Sequence, residues 1–132
     1  MRRVLIIDDE DDIREVVALA LETVAGWNVI TAPSGSEGIT AAQREHPDAI
    51  LMDVMMLGMD GPATFRQMQT MDGISQIPVV FLTAKVQGTD RKRFEALGVA
   101  AVLAKPFDPL TLANELSQAL GWHSAVRTDS PS

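Results

Sequence analysis

Polar residues stand directly at the ends of four short apolar runs in this sequence. Asp8 and Asp9 follow Val4-Leu5-Ile6-Ile7, Asp53 follows Ala49-Ile50-Leu51-Met52, Thr83 follows Pro78-Val79-Val80-Phe81-Leu82, and Lys105 follows Ala101-Val102-Leu103-Ala104. If the runs are neighbouring strands, all five side chains meet at one rim. Three carboxylates in a shallow cleft raise one another's proton affinity unless a cation lies among them, and a hard divalent metal is the economical choice. Mg²⁺ is favoured because it takes oxygen ligands, keeps several waters and uses one or two carboxylates together with a substrate phosphate. Lys105 and Thr83 then complete a phosphoryl-handling site. An ammonium, a hydroxyl and backbone N–H groups near Ala84 suit the charge on the equatorial oxygens of a phosphoryl group in transfer. A carboxylate can act as nucleophile and carry an acyl phosphate. Asp53 is therefore the candidate acceptor, with Asp8 and Asp9 positioning the metal. Asp11 and Asp12 are assigned to complementing a helix dipole, and Glu10 and Arg14 stand near the acidic pocket, where they could influence access to it.

The elements that must position these residues alternate between short apolar runs and segments of helical period. Val4–Ile7 is apolar on successive residues, which predicts a strand buried on both faces. From Ile13, Val16, Val17, Ala20, Leu21 and Val24 form a helix stripe that stops at Gly26. A second strand is predicted over residues 27–31, and then a helix capped by Ser34 or Ser36 that runs to about Glu45 with Ile39 and Ala42 inward. Strand three spans Ala49–Asp53. The loop from Val54 to Gly61 leads to a helix carrying Phe65, Met68 and Met71. The fourth strand, residues 78–82, is followed by a polar helix over roughly residues 89–97 that stops at Gly98. The fifth strand, Ala101–Ala104, precedes a helix with Asp108 as N-cap, Pro109 at its first position, and Leu112, Ala113, Leu116 and Leu120 on one face. Five strands alternating with five helices predict an α/β fold, a doubly wound five-stranded parallel sheet. With strand order 2-1-3-4-5, ligands bind between strands one and three, at their carboxyl ends. Residues 1–121 form the predicted domain, and residues 122–132 read as a tail without periodicity. Trp27 and Trp122 are expected to pack partly in the surface.

Composition narrows the function classes. The chain has 132 residues, 46% of them hydrophobic, enough for one sizeable core. It has no Cys, which excludes disulfide and thiolate chemistry and fits a cytoplasmic setting. The two His, His46 and His123, are too unrelated in position to suggest zinc. A formal net charge of −7 argues against nucleic acid as a partner. The apolar run after Met1-Arg2-Arg3 is cut short by Asp8, and no later run reaches the length of a membrane span, so neither a signal peptide nor membrane insertion is expected.

Four segments, in order and each at a predicted strand end, resemble the receiver domains of two-component response regulators. They are residues 4–10 (VLIIDDE), 53–61 (DVMMLGMDG), 81–84 (FLTA) and 104–107 (AKPF). The similarity extends over about residues 3–121. It implies a flavodoxin-like fold, as in stand-alone chemotaxis regulators, and a histidine kinase or histidine phosphotransfer protein that phosphorylates Asp53. It implies Asp9, Asp53 and the backbone carbonyl of Met55 as direct Mg²⁺ ligands, with Asp8 acting mainly through water. Lys105 and Thr83 match the family's phosphate-contacting pair, and Lys105-Pro106 its cis peptide. Met55 and Lys85 match positions that tune hydrolysis. A downstream protein would meet the face of the fourth helix, fifth strand and fifth helix, where Arg91, Lys92 and Arg93 form a basic cluster. The chain departs from the family at Val102, often an aromatic switch residue, and at Leu57, often proline. Two rivals are weighed. A phosphohydrolase of the haloacid-dehalogenase type needs a second aspartate two residues after the nucleophile, where this chain has Met55. A receiver that only binds would lack acidic-pocket positions, all of which are present. No effector domain follows Gly121 in this sequence, which leaves target docking, onward phosphotransfer and a place in a longer protein open.

Overall fold

The computed structural model describes residues 2–84 and 88–122. Its centre is a parallel sheet of β1 (Arg3–Ile7), β2 (Asn28–Ala32), β3 (Ala49–Asp53), β4 (Val79–Thr83) and β5 (Ala101–Ala104), in the order β2-β1-β3-β4-β5. Four α-helices connect successive strands, α1 (Asp11–Ala20), α2 (Gly35–Glu45), α3 (Gly61–Gln69) and α4 (Gly88–Ala96), and a fifth, α5 (Leu112–Leu120), follows β5. The expected architecture and strand order are both observed.

The continuous apolar runs exist because both sheet faces are covered. Successive strand residues point to opposite sides. Val4, Ile6, Leu51, Val80 and Leu82 pack with Val17, Leu21, Leu112 and Leu116 from the α1 and α5 side. Leu5, Ile7, Ile50, Met52, Phe81 and Val102 pack with Ile39, Phe65, Met68 and Phe94 from the side of α2, α3 and α4. Each such fully buried aliphatic or aromatic side chain contributes about 1.5–3 kcal/mol relative to exposure. Phe81 joins α3 to α4, with its ring centroid 6.2 Å from Phe65 and 5.6 Å from Phe94, both edge to face.

Register brings the strand tips level. Ile7 pairs with Met52, Asp53 with Leu82, and Thr83 with Ala104. Asp8 and Lys105, one residue beyond their strands, therefore emerge at the same rim as Asp53 and Thr83.

Several local expectations are corrected. Val16 is 42% exposed, because Val17, Ala20 and Leu21 already fill the buried side of α1. The helix continues through a π-helical turn, Leu21–Ala25, before Gly26 ends it at φ 70°. Ser34, not Ser36, caps α2, accepting from the Glu37 N–H at 3.2 Å. Met71 lies beyond α3, although it still packs against the core. Asp108 is not the cap of α5: it accepts the N–H groups of Leu110, Thr111 and Leu112 in a tight turn, and the helix begins at Leu112. Trp27 is buried, with Trp122 edge-on against it at 5.3 Å and the Arg2 guanidinium 4.2 Å from the Trp122 ring. Residues 123–132 of the predicted tail, and with them His123, lie outside the described residues.

Candidate functional site

β1 and β3 deliver two buried carboxylates side by side: Asp8 is 1% exposed and Asp53 5%. Neither could be held there ionised without a partner, since desolvation of a lone carboxylate is strongly unfavourable. That partner is Lys105, at the turn after β5. Its Nζ lies 3.1 Å from Asp8 Oδ2, 3.3 Å from Asp53 Oδ1 and 3.8 Å from Glu10 Oε1. Its own N–H donates to the Thr83 carbonyl at 2.9 Å, so the β4 and β5 tips are tied together. The Lys105-Pro106 peptide is cis, as the family resemblance implied.

The β1–α1 turn supplies two further carboxylates. Asp8 Oδ1 accepts the Glu10 N–H at 2.9 Å, and Asp9 Oδ2 accepts the Leu57 N–H at 3.0 Å. Oxygens of Asp8, Asp9, Glu10 and Asp53 lie within 4.8 Å of one another. The expected trio of Asp8, Asp9 and Asp53 is thus brought together, and Glu10 joins it. Its membership was legible only as the third acid of the run after β1. Leu57 stands where proline is frequent in the resembling family, and here its N–H holds Asp9, a bond that proline has no hydrogen to make.

Electrostatics mark Asp53. Burial and the neighbouring Asp8 charge push its carboxyl above the ordinary aspartate range, while Lys105 and the Met55 backbone amide pull it back only in part. Burial alone would lower Lys105, but the Asp8 and Asp53 charges lift its ammonium above the ordinary lysine range. A pocket of oxygen donors with surplus negative charge and one ammonium fits a hard divalent cation.

Thr83 is buried at the end of β4, in register with Ala104 and next to the site. Met55 lies in the loop directly after Asp53, with its backbone beside that carboxylate and its side chain outward. Val102 is a buried core residue packed with Phe81 and Phe94, so no ring is available there to turn between positions. Lys85 lies outside the described residues.

Comparisons with known proteins agree with this geometry. The family model described as response regulator receiver domain matches residues 4–117. Protein PilH of Pseudomonas aeruginosa is 35% identical over 120 residues, covering 91% of this chain and 98% of that protein. Chemotaxis protein CheY4 of Vibrio cholerae superposes with a TM-score of 0.83 at 32% identity, over 90% of this chain and 98% of the other. The receiver domain of sensor histidine kinase PA1611 from Pseudomonas aeruginosa, solved with a magnesium ion coordinated in its active site cleft, superposes with a TM-score of 0.77. It is 28% identical and covers 91% of this chain and 98% of that one. The chain spans about half the length of the probable transcriptional regulators among its curated relatives.

Proposed function

This chain belongs to the response regulator receiver domain family, and from that premise we propose that Asp53 is its phosphoacceptor and Lys105 and Thr83 the groups that hold the incoming phosphoryl oxygens. Receiver domains are signalling domains rather than classical enzymes, and receivers of two-component systems are phosphorylated on aspartate. The observation that carries the assignment to Asp53 is the Lys105 ammonium shared between two buried carboxylates, of which Asp53 alone ends the central strand β3, between Asp8 after β1 and Thr83 at the end of β4.

The donor is a phosphohistidine on a histidine kinase or histidine phosphotransfer protein. An Asp53 carboxylate oxygen attacks phosphorus, the bond from phosphorus to the imidazole nitrogen breaks, and that nitrogen leaves with the electron pair and takes up a proton. Burial keeps competing water from the Asp53 carboxylate, and Lys105 shifts from its carboxylate partners toward the arriving oxygens. Asp8, Asp9, Asp53 and the Met55 carbonyl would hold Mg²⁺, which supplies charge neutralisation between the carboxylates and the phosphoryl group when bound. The ion in the cleft of the PA1611 receiver supports this reading.

Signal output is a phosphorylation-dependent change in protein binding on the face of α4, β5 and α5, where Arg91, Lys92 and Arg93 are exposed. The receiver unit takes in residues 1–121, with Trp122 packed onto its base, and the setting is the cytoplasm. No helix among the described residues is long and apolar enough to cross a membrane. Beryllofluoride, a phosphoryl mimic on carboxylates, tests the site: it should bind with Mg²⁺ and not with EDTA, and equal binding in both would overturn the metal assignment.

A further inference from the structure

Arg14 is the one basic residue of α1, and it sits in the helix's first turns, where the macrodipole disfavours a cation. Its guanidinium nevertheless does not turn to solvent, for the side chain is only 17% exposed. Nη1 donates to the backbone carbonyl of Asp8 at 2.6 Å, and Nη2 pairs with the Asp11 carboxylate. The remaining polar atoms of Asp8 are also engaged. Its N–H donates to the Ala32 carbonyl at 3.2 Å, Oδ1 accepts from the Glu10 N–H, and Oδ2 accepts from Lys105.

The Asp8 carbonyl is where the chain leaves the sheet. Its peptide plane is shared with Asp9, so fixing that plane fixes the positions of the Asp9 N and Cα from which the Asp9 side chain departs. Asp9 otherwise has the Leu57 N–H, from a loop whose Leu57 side chain is 86% exposed. The start of α1 gives little help, because the N-cap residue Glu10 makes no side-chain capping bond. Arg14 also brings a positive charge close to the carboxylates without occupying a ligand position.

Resting on the reading of this pocket as a Mg²⁺ and phosphoryl site, we propose that Arg14 is a positioning residue for it. Through the Asp8 carbonyl it aligns the Asp8-Asp9 pair, and so sets the cation affinity of the pocket without touching cation or phosphate. Supporting partners of metal ligands typically alter affinity by about 10–100-fold when removed.

The test is Mg²⁺ titration by calorimetry on the full chain, with thermal unfolding in EDTA alongside. Arg14→Met keeps the apolar stem and removes both donors; it should weaken Mg²⁺ binding roughly tenfold. Arg14→Lys keeps one donor and should stay within about threefold of wild type. Asp11→Asn, which loosens only the outer leg of the guanidinium, should leave the affinity within about twofold. Arg14→Met matching wild type in affinity, or Arg14→Lys binding as weakly as Arg14→Met, overturns the proposal. If Arg14→Met does not fold, Arg14→Lys with wild-type unfolding temperature but tenfold weaker binding also overturns it. A wild-type chain that binds no Mg²⁺ overturns the reading of the pocket itself, an outcome separate from failure at Arg14.

Discussion

Two opposing effects meet at Asp53: burial and the Asp8 charge favour its protonated form, while Lys105 favours the ionised one. The first pair prevails, so the folded protein binds the Asp53 proton more tightly than the unfolded chain does. Ionised Asp53 therefore weakens the metal-free fold at pH values above its folded-state pKa, and the penalty fades as pH falls through that value. Asp53→Asn should raise metal-free stability near neutral pH by about 1 kcal/mol, or roughly 3–5 °C in melting temperature. Calorimetry in chelator checks this, and the gain should shrink toward about pH 4. Lys105 has the opposite sign. Its folded-state pKa is raised, so its stabilisation is complete below the ordinary lysine pKa and is lost only as pH rises through the higher folded value. Lys105→Ala should keep the fold but cost about 2 kcal/mol near neutral pH, by leaving Asp8 and Asp53 to repel. Chemical denaturation with and without Mg²⁺ reads both the loss and its recovery on adding the ion. Asp8, Asp9, Asp53, Thr83 and Lys105 were legible because each ends an apolar run. The pull of Arg14 on a backbone carbonyl was not, because main-chain partners leave no mark on sequence.

Element boundaries separate what composition encodes from what pairing imposes. β3 and β5 fall where their apolar runs predict, whereas β2 starts one residue later, at Asn28, which pairs with Arg3 of β1. Strand ends follow the partner's ladder as much as their own residues. The π-helical turn after α1 comes from a one-residue slip in hydrogen bonding, which no residue type announces. At the start of α5, Asp108-Pro109 does break the chain, but the Asp108 carbonyl and carboxylate absorb the next N–H groups in a turn. One close approach at this scale bears directly on the site. A Cβ on Gly61 would lie 2.7 Å from the Asp53 backbone oxygen and 2.9 Å from Val54 Cα, neither of which can rotate away. Gly61→Ala should therefore cost roughly 1–3 kcal/mol and displace the β3 tip. Urea denaturation gives the stability change, and slower phosphorylation of the folded fraction would report the displacement.

Across the whole molecule, chemistry and anchoring lie at opposite ends of the sheet. The carboxyl ends of the strands carry the acidic pocket, and the amino ends carry the Trp27–Trp122 pair with Arg2 against it. Trp122→Ala should lower stability by about 2 kcal/mol through lost edge-to-face packing while leaving phosphorylation unchanged. The doubly wound order was legible from the alternation of elements, since parallel neighbours require helical crossovers. The docking of Trp122 was not, because an aromatic beyond the last periodic helix carries no partner in its pattern. The most direct measurement is intact mass after incubation with acetyl phosphate and Mg²⁺. Wild type should gain a single phosphoryl group, which does not form when EDTA replaces Mg²⁺ and is absent from Asp53→Asn. An unmodified wild type, or an adduct that persists in Asp53→Asn, would contradict the assignment.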